Sequence, residues 1–131
     1  GEATNDTFGG SFTSGDFNAD GRTDLAVGAY GYSTYTGRAH LFYNDGSIPT
    51  TAATADVTIT GGATDDLFGY SITSGDFNAD GRTDLAVGAY GYSSNTGRAY
   101  IFTSEATPTS TPPGMMTVKG VGKLKGNIKW K

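Results

Sequence analysis

The chain has no cysteine, so no disulfide contributes to its stability. It has one histidine, His40, which leaves too few nitrogen and sulfur ligands for a zinc site. No apolar run approaches the roughly 20 residues of a membrane span, and none is expected. Helix formers are scarce, and no apolar stripe recurs with a 3.6-residue period. Basic residues are few over most of the length: Arg22, Arg38, Arg82 and Arg98 are the only ones before residue 106, where all 13 acidic residues lie. That balance excludes the clustered positive charge of a nucleic-acid binder. No signal peptide is visible, which fits a processed amino terminus or an arbitrary boundary.

What the chain has in abundance is glycine and repetition. The stretch "GDFNADGRTDLAVGAYGYS" occurs at residues 15–33 and again at 75–93, identical at all 19 positions. The period is 60: Phe8-Gly9 maps to Phe68-Gly69, Gly37-Arg38-Ala39 to Gly97-Arg98-Ala99, and Phe42 to Phe102. Such a period marks a supersecondary unit copied in tandem, which buries its apolar face by stacking on a neighbour. Within a unit, Phe8–Ser14, Asp24–Ala29, Gly37–Tyr43 and Asp56–Thr60 read as short alternating strands bounded by Gly, Asn, Asp and Ser. The fold class expected is all-β, as two tandem four-stranded propeller-type blades. A β-sandwich is the structural alternative, but it predicts no 60-residue period.

Each copy carries D-x-N-x-D-G-x-x-D: Asp16, Asn18, Asp20, Gly21 and Asp24, then Asp76, Asn78, Asp80, Gly81 and Asp84. Two like charges about 4 Å apart repel by about 1 kcal/mol even in water. A hard cation reverses that sign. Calcium takes six to eight oxygens in flexible geometry, whereas magnesium prefers an octahedron and keeps its waters. The predicted ligands are the side chains of Asp16, Asn18, Asp20 and Asp24 with the backbone carbonyl of Arg22. The second set is Asp76, Asn78, Asp80 and Asp84 with the carbonyl of Arg82. Two Ca2+ sites result. An Asp/Asn/Gly turn with no ion is the plainer reading, and its repetition at one period counts against it.

The loop resembles the first nine positions of an EF-hand, but position 12 is Val27 or Val87 and "DLAVGAY" makes a strand, not a helix. A dockerin fails on the same ground. The combination resembles the FG-GAP repeat, the blade of the integrin α-subunit propeller. The "FG" is Phe8-Gly9 and Phe68-Gly69, and the calcium loop follows. Gly28-Ala29-Tyr30 and Gly88-Ala89-Tyr90 stand for "GAP", with Tyr in place of Pro. "GRAHLF" and "GRAYIF" match the family's next strand, so the resemblance covers about residues 1–105. It implies a propeller fold, calcium in the loops, and an adhesive, cell-surface or secreted role. The number of copies departs from the family, since integrin-type propellers close with seven blades.

The domain reading is blade 1 at 1–60, blade 2 at 61–106, a Pro/Thr/Ser linker at 107–114 and a basic tail at 115–131. All five lysines lie in the last 13 residues, opposite in charge to the body. The tail supplies a fourth strand to blade 2 from "MTVKG" at Met116–Gly120, or it pairs with a second molecule. Two blades cannot close a ring, so homo-oligomers or a filament are expected, with a protein or carbohydrate ligand as a further partner. The alternative is a ligand-binding fragment of a larger adhesin or secreted enzyme. Catalysis by the chain itself is not expected: His40 has no Ser or Asp at a convincing position and reads as a strand residue. Asn5-Asp6-Thr7 is an N-glycosylation sequon and "TPTSTPP" suits O-glycosylation, both consistent with an extracellular setting. The tyrosines Tyr30, Tyr32, Tyr35, Tyr90 and Tyr92 are expected at blade edges or between units.

Overall fold

The computed structural model describes residues 1–49 and 51–104, and the backbone of 116–117 and 128–130. The linker at 107–114 and the remainder of the tail lie outside the described residues. Alternation of small and apolar residues between Gly/Asp-rich turns produces the strands. They are β1 (Phe8–Gly15), β2 (Asp24–Ala29), β3 (Arg38–Phe42) and β4 (Val57–Thr60), then β5 (Phe68–Gly75), β6 (Asp84–Ala89) and β7 (Arg98–Ser104). Two short tail strands follow, β8 (Met116–Thr117) and β9 (Ile128–Trp130). All ladders are antiparallel, in the orders β1-β2-β3-β4-β9 and β5-β6-β7-β8. The architecture is the all-β pair of blades expected. The described tail segments pair within the chain, β8 on β7 and β9 on the outer edge of β4.

The two sheets stack through opposite faces. Ala26, Ala39, Leu41, Val57 and Ile59 of the first sheet share one core with Phe68, Leu85, Val87, Tyr100 and Phe102 of the second. In the first sheet, Leu41 lies opposite Ala26 and Val57. In the second, Leu85 lies opposite Phe102 and Val87 opposite Tyr100, the other parity of the repeat. Residues on this seam are 2% exposed or less, and burying a large apolar side chain stabilises by about 1.5–3 kcal/mol. Strand β3 is buried on both faces from Ala39 to Phe42. His40 therefore sits inside, edge-on to Phe8 at 5.6 Å, as Tyr100 sits against Phe68 at 5.4 Å.

Polar contacts complete the seam. Ser11 Oγ donates to the Gly69 carbonyl at 2.8 Å, and Ser74 Oγ donates to the Ser14 carbonyl at 2.8 Å. The backbone N–H groups of Asp65, Leu67 and Phe68 donate to the carbonyls of Thr34, Tyr35 and Thr36. Those carbonyls are aimed by a turn over Tyr32–Tyr35 in which Ser33, Thr34 and Tyr35 have φ of 48°, 55° and 58°. Three successive non-glycine residues in the left-handed region are costly. The carbonyls of Thr34 and Tyr35 are held by the neighbouring blade, and that of Ser33 accepts from Thr36 within the turn. The turn recurs at Ser93, Ser94 and Asn95.

Candidate functional site

The two D-x-N-x-D-G-x-x-D loops connect β1 to β2 and β5 to β6. Each opens through one left-handed alanine and one left-handed glycine, Ala19 (φ 59°) and Gly21 (φ 84°), then Ala79 (61°) and Gly81 (83°). A Cβ on Gly21 would meet nothing within 4 Å, so its role is conformational. The winding turns the side-chain oxygens inward. Asp16 Oδ1 and Asn18 Oδ1 accept from the same N–H, that of Asp20, at 3.0 and 3.1 Å. Asp16 Oδ2 accepts from Gly21 N–H and Asp20 Oδ1 from Arg22 N–H. The second loop repeats all four contacts within 0.1 Å: Asp80 N–H to Asp76 and Asn78, Gly81 N–H to Asp76, and Arg82 N–H to Asp80.

Asp24 and Asp84 do something different from the other acids. Each is buried, at 1% and 0% exposure. Asp24 Oδ2 accepts from Phe17 N–H at 2.9 Å and Oδ1 from Asn44 N–H at 2.8 Å. Asp84 likewise accepts from Phe77 N–H and Ser104 N–H, both at 2.9 Å. Each carboxylate thus braces its own loop to the segment leaving the third strand. Burial pushes the Asp24 carboxyl up, the Asn44 and Phe17 amides pull it down, and the charges of Asp20 and Asp16 push it up again.

The loops fit a hard cation by donor chemistry. Every predicted ligand is an oxygen, and those of positions one and three converge on one point of the loop. A carboxylate has about four lone-pair sites, so Asp24 retains acceptor capacity after its two amide bonds. In both loops the carboxylates accept amide hydrogens. No group of three His, Cys, Asp or Glu side chains stands at metal-holding spacing among the described residues.

The tyrosines divide by environment. Tyr32 and Tyr92 lie under guanidinium groups, with Arg38 and Arg98 at 3.5 and 3.7 Å from their ring centroids. Arg38 also pairs with Glu2 and donates to Thr60 Oγ1. Tyr30 contacts Tyr70 across the seam, and Tyr70 stacks on Tyr90. Sequence reasoning did not single out Tyr70, whose counterpart in the first copy is Gly10.

The family model for the FG-GAP repeat matches residues 8–42 and 68–102, the two blades just described. The chain belongs to the FG-GAP repeat family. It is 35% identical over 126 residues to integrin alpha-IIb of Mus musculus, covering 88% of this chain and 12% of that protein. It is 38% identical over 107 residues to phosphatidylinositol-glycan-specific phospholipase D of Bos taurus, covering 72% of this chain and 13% of that protein. The human enzyme of that name is 41% identical over 90 residues, 62% of this chain and 11% of that protein. The chain thus spans about one-eighth of the length of these relatives. FG-GAP blades therefore occur in proteins as different as an integrin and a phospholipase, and the fold leaves function open. Among the described residues, no helix is long and apolar enough to cross a membrane.

Proposed function

We propose that this chain is a calcium-stabilised, extracellular structural or adhesive module, without catalytic activity of its own, that associates through its stacked blades. The observation carrying this reading is the duplicated oxygen-lined loop, tied at its ninth position to the rest of its blade. An ion held by Asp16, Asn18, Asp20, the Arg22 carbonyl and Asp24 would join the loop to the bracing acid. Asp76, Asn78, Asp80, the Arg82 carbonyl and Asp84 would do the same in blade 2. Exposed loops of this kind suit the millimolar calcium outside cells, where extracellular modules bind in the 10⁻⁴–10⁻³ M range. Kinship to an integrin subunit supports the adhesive setting and a protein ligand.

A second reading is favoured by one observation, that the relatives carry such segments within chains about eight times as long. On that reading the chain is a ligand-binding portion of a larger adhesin or secreted enzyme.

The deciding experiment is thermal unfolding in excess calcium and in chelator, for the wild type and for Asp16→Ala combined with Asp76→Ala. Calcium should stabilise the wild type by about 2.7 kcal/mol per site at a hundredfold excess over Kd. The double variant should lose that gain. An equal calcium effect in both proteins refutes the site.

A further inference from the structure

Tyr30 and Tyr90 are copies of one residue, each just past the second strand of its blade. Tyr70 is not part of the repeat, since its counterpart is Gly10. It sits in the stretch of β5 between Phe68 and Ser71 where the pairing with β6 shifts register. Such irregularities re-aim a side chain. Here the Tyr70 ring is set against both repeat tyrosines, 5.2 Å from Tyr30 across the seam and 5.4 Å from Tyr90 within its own blade. Glycine at position 10 leaves room for this, because a Cβ there would stand 2.8 Å from Tyr30 Cε1. Tyr30 thus lies against the backbone of β1 and against the Tyr70 ring.

Tyr30 and Tyr70 meet at the seam inside the chain, yet neither is buried: Tyr70 is 49% exposed and Tyr30 is half-buried. The other tyrosines differ. Tyr32 and Tyr92 lie under guanidinium groups, and a cation over the ring opposes removal of an electron from it. Tyr100 is buried. Tyr35 is as exposed as Tyr70, but its ring meets no other tyrosine among the described residues.

We infer that Tyr30 and Tyr70 form a dityrosine cross-link under one-electron oxidation, a covalent joint between the blades in a sequence without cysteine. The oxidant is hydrogen peroxide acting through a haem peroxidase. Each phenol gives up one electron and one proton and becomes a tyrosyl radical. The two radicals join through a carbon ortho to each oxygen, forming one C–C bond. The hydrogen on each joined carbon then moves to the oxygen of its own ring, which restores two phenols. Two hydrogens leave the protein, and one peroxide becomes two waters. Tyr30 suits this step better than Tyr90. Its ring is tilted 58° to that of Tyr70, whereas Tyr70 and Tyr90 are stacked at 29°. Joined phenols stand edge to edge with their planes twisted, which stacked rings reach only by sliding apart. The joint needs neither calcium nor a second molecule. It closes the chain between residues 30 and 70 and restricts the unfolded state as a disulfide does.

The test treats the dilute chain with a haem peroxidase and hydrogen peroxide, then digests it with trypsin. Cleavage after Arg22, Arg38, Arg82 and Arg98 leaves Tyr30 in peptide 23–38, Tyr70 in 39–82 and Tyr90 in 83–98. The monomer should gain dityrosine fluorescence and lose the mass of two hydrogens. Peptides 23–38 and 39–82 should be recovered joined, with fragmentation placing the joint at Tyr30 and Tyr70. The urea midpoint of the oxidised wild type should rise. Tyr70→Phe keeps the ring and removes the phenol, so it should melt like the wild type before oxidation, give no such product and show no rise. Should Tyr70→Phe melt early, Tyr30→Phe serves in its place and should lose the same product. Tyr35→Phe should keep it. The proposal is overturned by a monomer without dityrosine or by cross-links between molecules alone. It is equally overturned by peptide 39–82 joined to 83–98 in place of 23–38, or by the 23–38 product persisting in Tyr70→Phe or Tyr30→Phe.

Discussion

Gly28 lies so close to Gly69 that a Cβ placed on it would stand 2.2 Å from the Gly69 carbonyl oxygen and 2.3 Å from Ser11 Oγ. The first of these is backbone of the facing blade, which cannot rotate away. Gly28→Ala should therefore wedge the seam open and cost about 2–3 kcal/mol, in the range of overpacked cores. Gly88→Ala, at the identical sequence position, has its one close contact with the rotatable Ser71 hydroxyl at 2.4 Å, the Ser71 carbonyl standing at an ordinary 3.5 Å. Its cost should be about 1 kcal/mol or less. Urea unfolding of the two variants checks the difference, and equal costs would contradict the seam as described.

The bracing acids should prove more important to stability than the exposed ones, even with no ion present. Asp24→Asn keeps the shape but replaces one acceptor oxygen by an amide nitrogen that faces a donor, the N–H of Phe17 or Asn44. A buried hydrogen bond to a charge is lost and a buried donor is left unpaired, at a cost of about 2–4 kcal/mol. Asp20→Asn, on the exposed rim of the loop, should cost about 1 kcal/mol or less. Both are to be measured in chelator, where loss of a calcium ligand cannot contribute. A larger loss for Asp20→Asn would reverse the assignment.

Thr34 is a β-branched residue held at φ 55°, ψ 50° so that its carbonyl can accept from Asp65 N–H at 3.1 Å. Asparagine enters this region far more readily, and Asn95 already occupies it one residue later in the second copy. The Thr34 side chain is exposed, so its replacement loses no packing. Thr34→Asn should raise stability by about 1 kcal/mol, the strain relieved. An unchanged or lowered urea midpoint would show that the turn is not strained.

The repeat, the strands and the loops are legible in the sequence because each follows from local chemistry: identical stretches, two-residue alternation, and Asp/Asn/Gly at turn spacing. The face on which the blades meet is not. Alternation separates Leu41 from Phe42 but cannot say which of them looks toward the neighbour, and both are buried. The left-handed turn at Ser33–Tyr35 carries no glycine and recurs at Ser93–Asn95. The two turns share the bonds from the amides of Thr36 and Gly37, or Thr96 and Gly97, back to the carbonyls of Ser33 and Tyr32, or Ser93 and Tyr92, and only Asn95 hints at the turn in the sequence. Asp24 stands at a ligand position in the motif. That both its oxygens also hold amides of Phe17 and Asn44 depends on a segment 20 residues away. Phe17 and Phe77 are indistinguishable in sequence and differ by 47% in exposure, because Phe17 lies in the core shared with blade 2.

His40 supplies a test of the buried first sheet by pH. Burial, with the positive charges of Arg38 and the amino terminus, lowers it from 6.5 to about 4, while Asp6 pushes the other way. Its ring nitrogen Nδ1 lies 3.2 Å from Thr58 Oγ1, and Phe8 packs on it edge-on. The folded state therefore binds this proton less readily than the unfolded chain. Between pH 6.5 and about 4 the unfolded chain takes up the proton first, so stability is fully present above 6.5 and falls with pH across that window. The loss amounts to about 3 kcal/mol. In the second copy Tyr100 occupies this position, also buried, with Phe68 in the same edge-on relation. His40→Tyr should therefore fold and should remove this component, since the phenol stays neutral throughout. Carboxylates titrate in both proteins, so the difference between their stability–pH curves isolates His40. That difference should open as pH falls below 6.5 and level off near 4; parallel curves would mean that His40 is not buried in the folded chain.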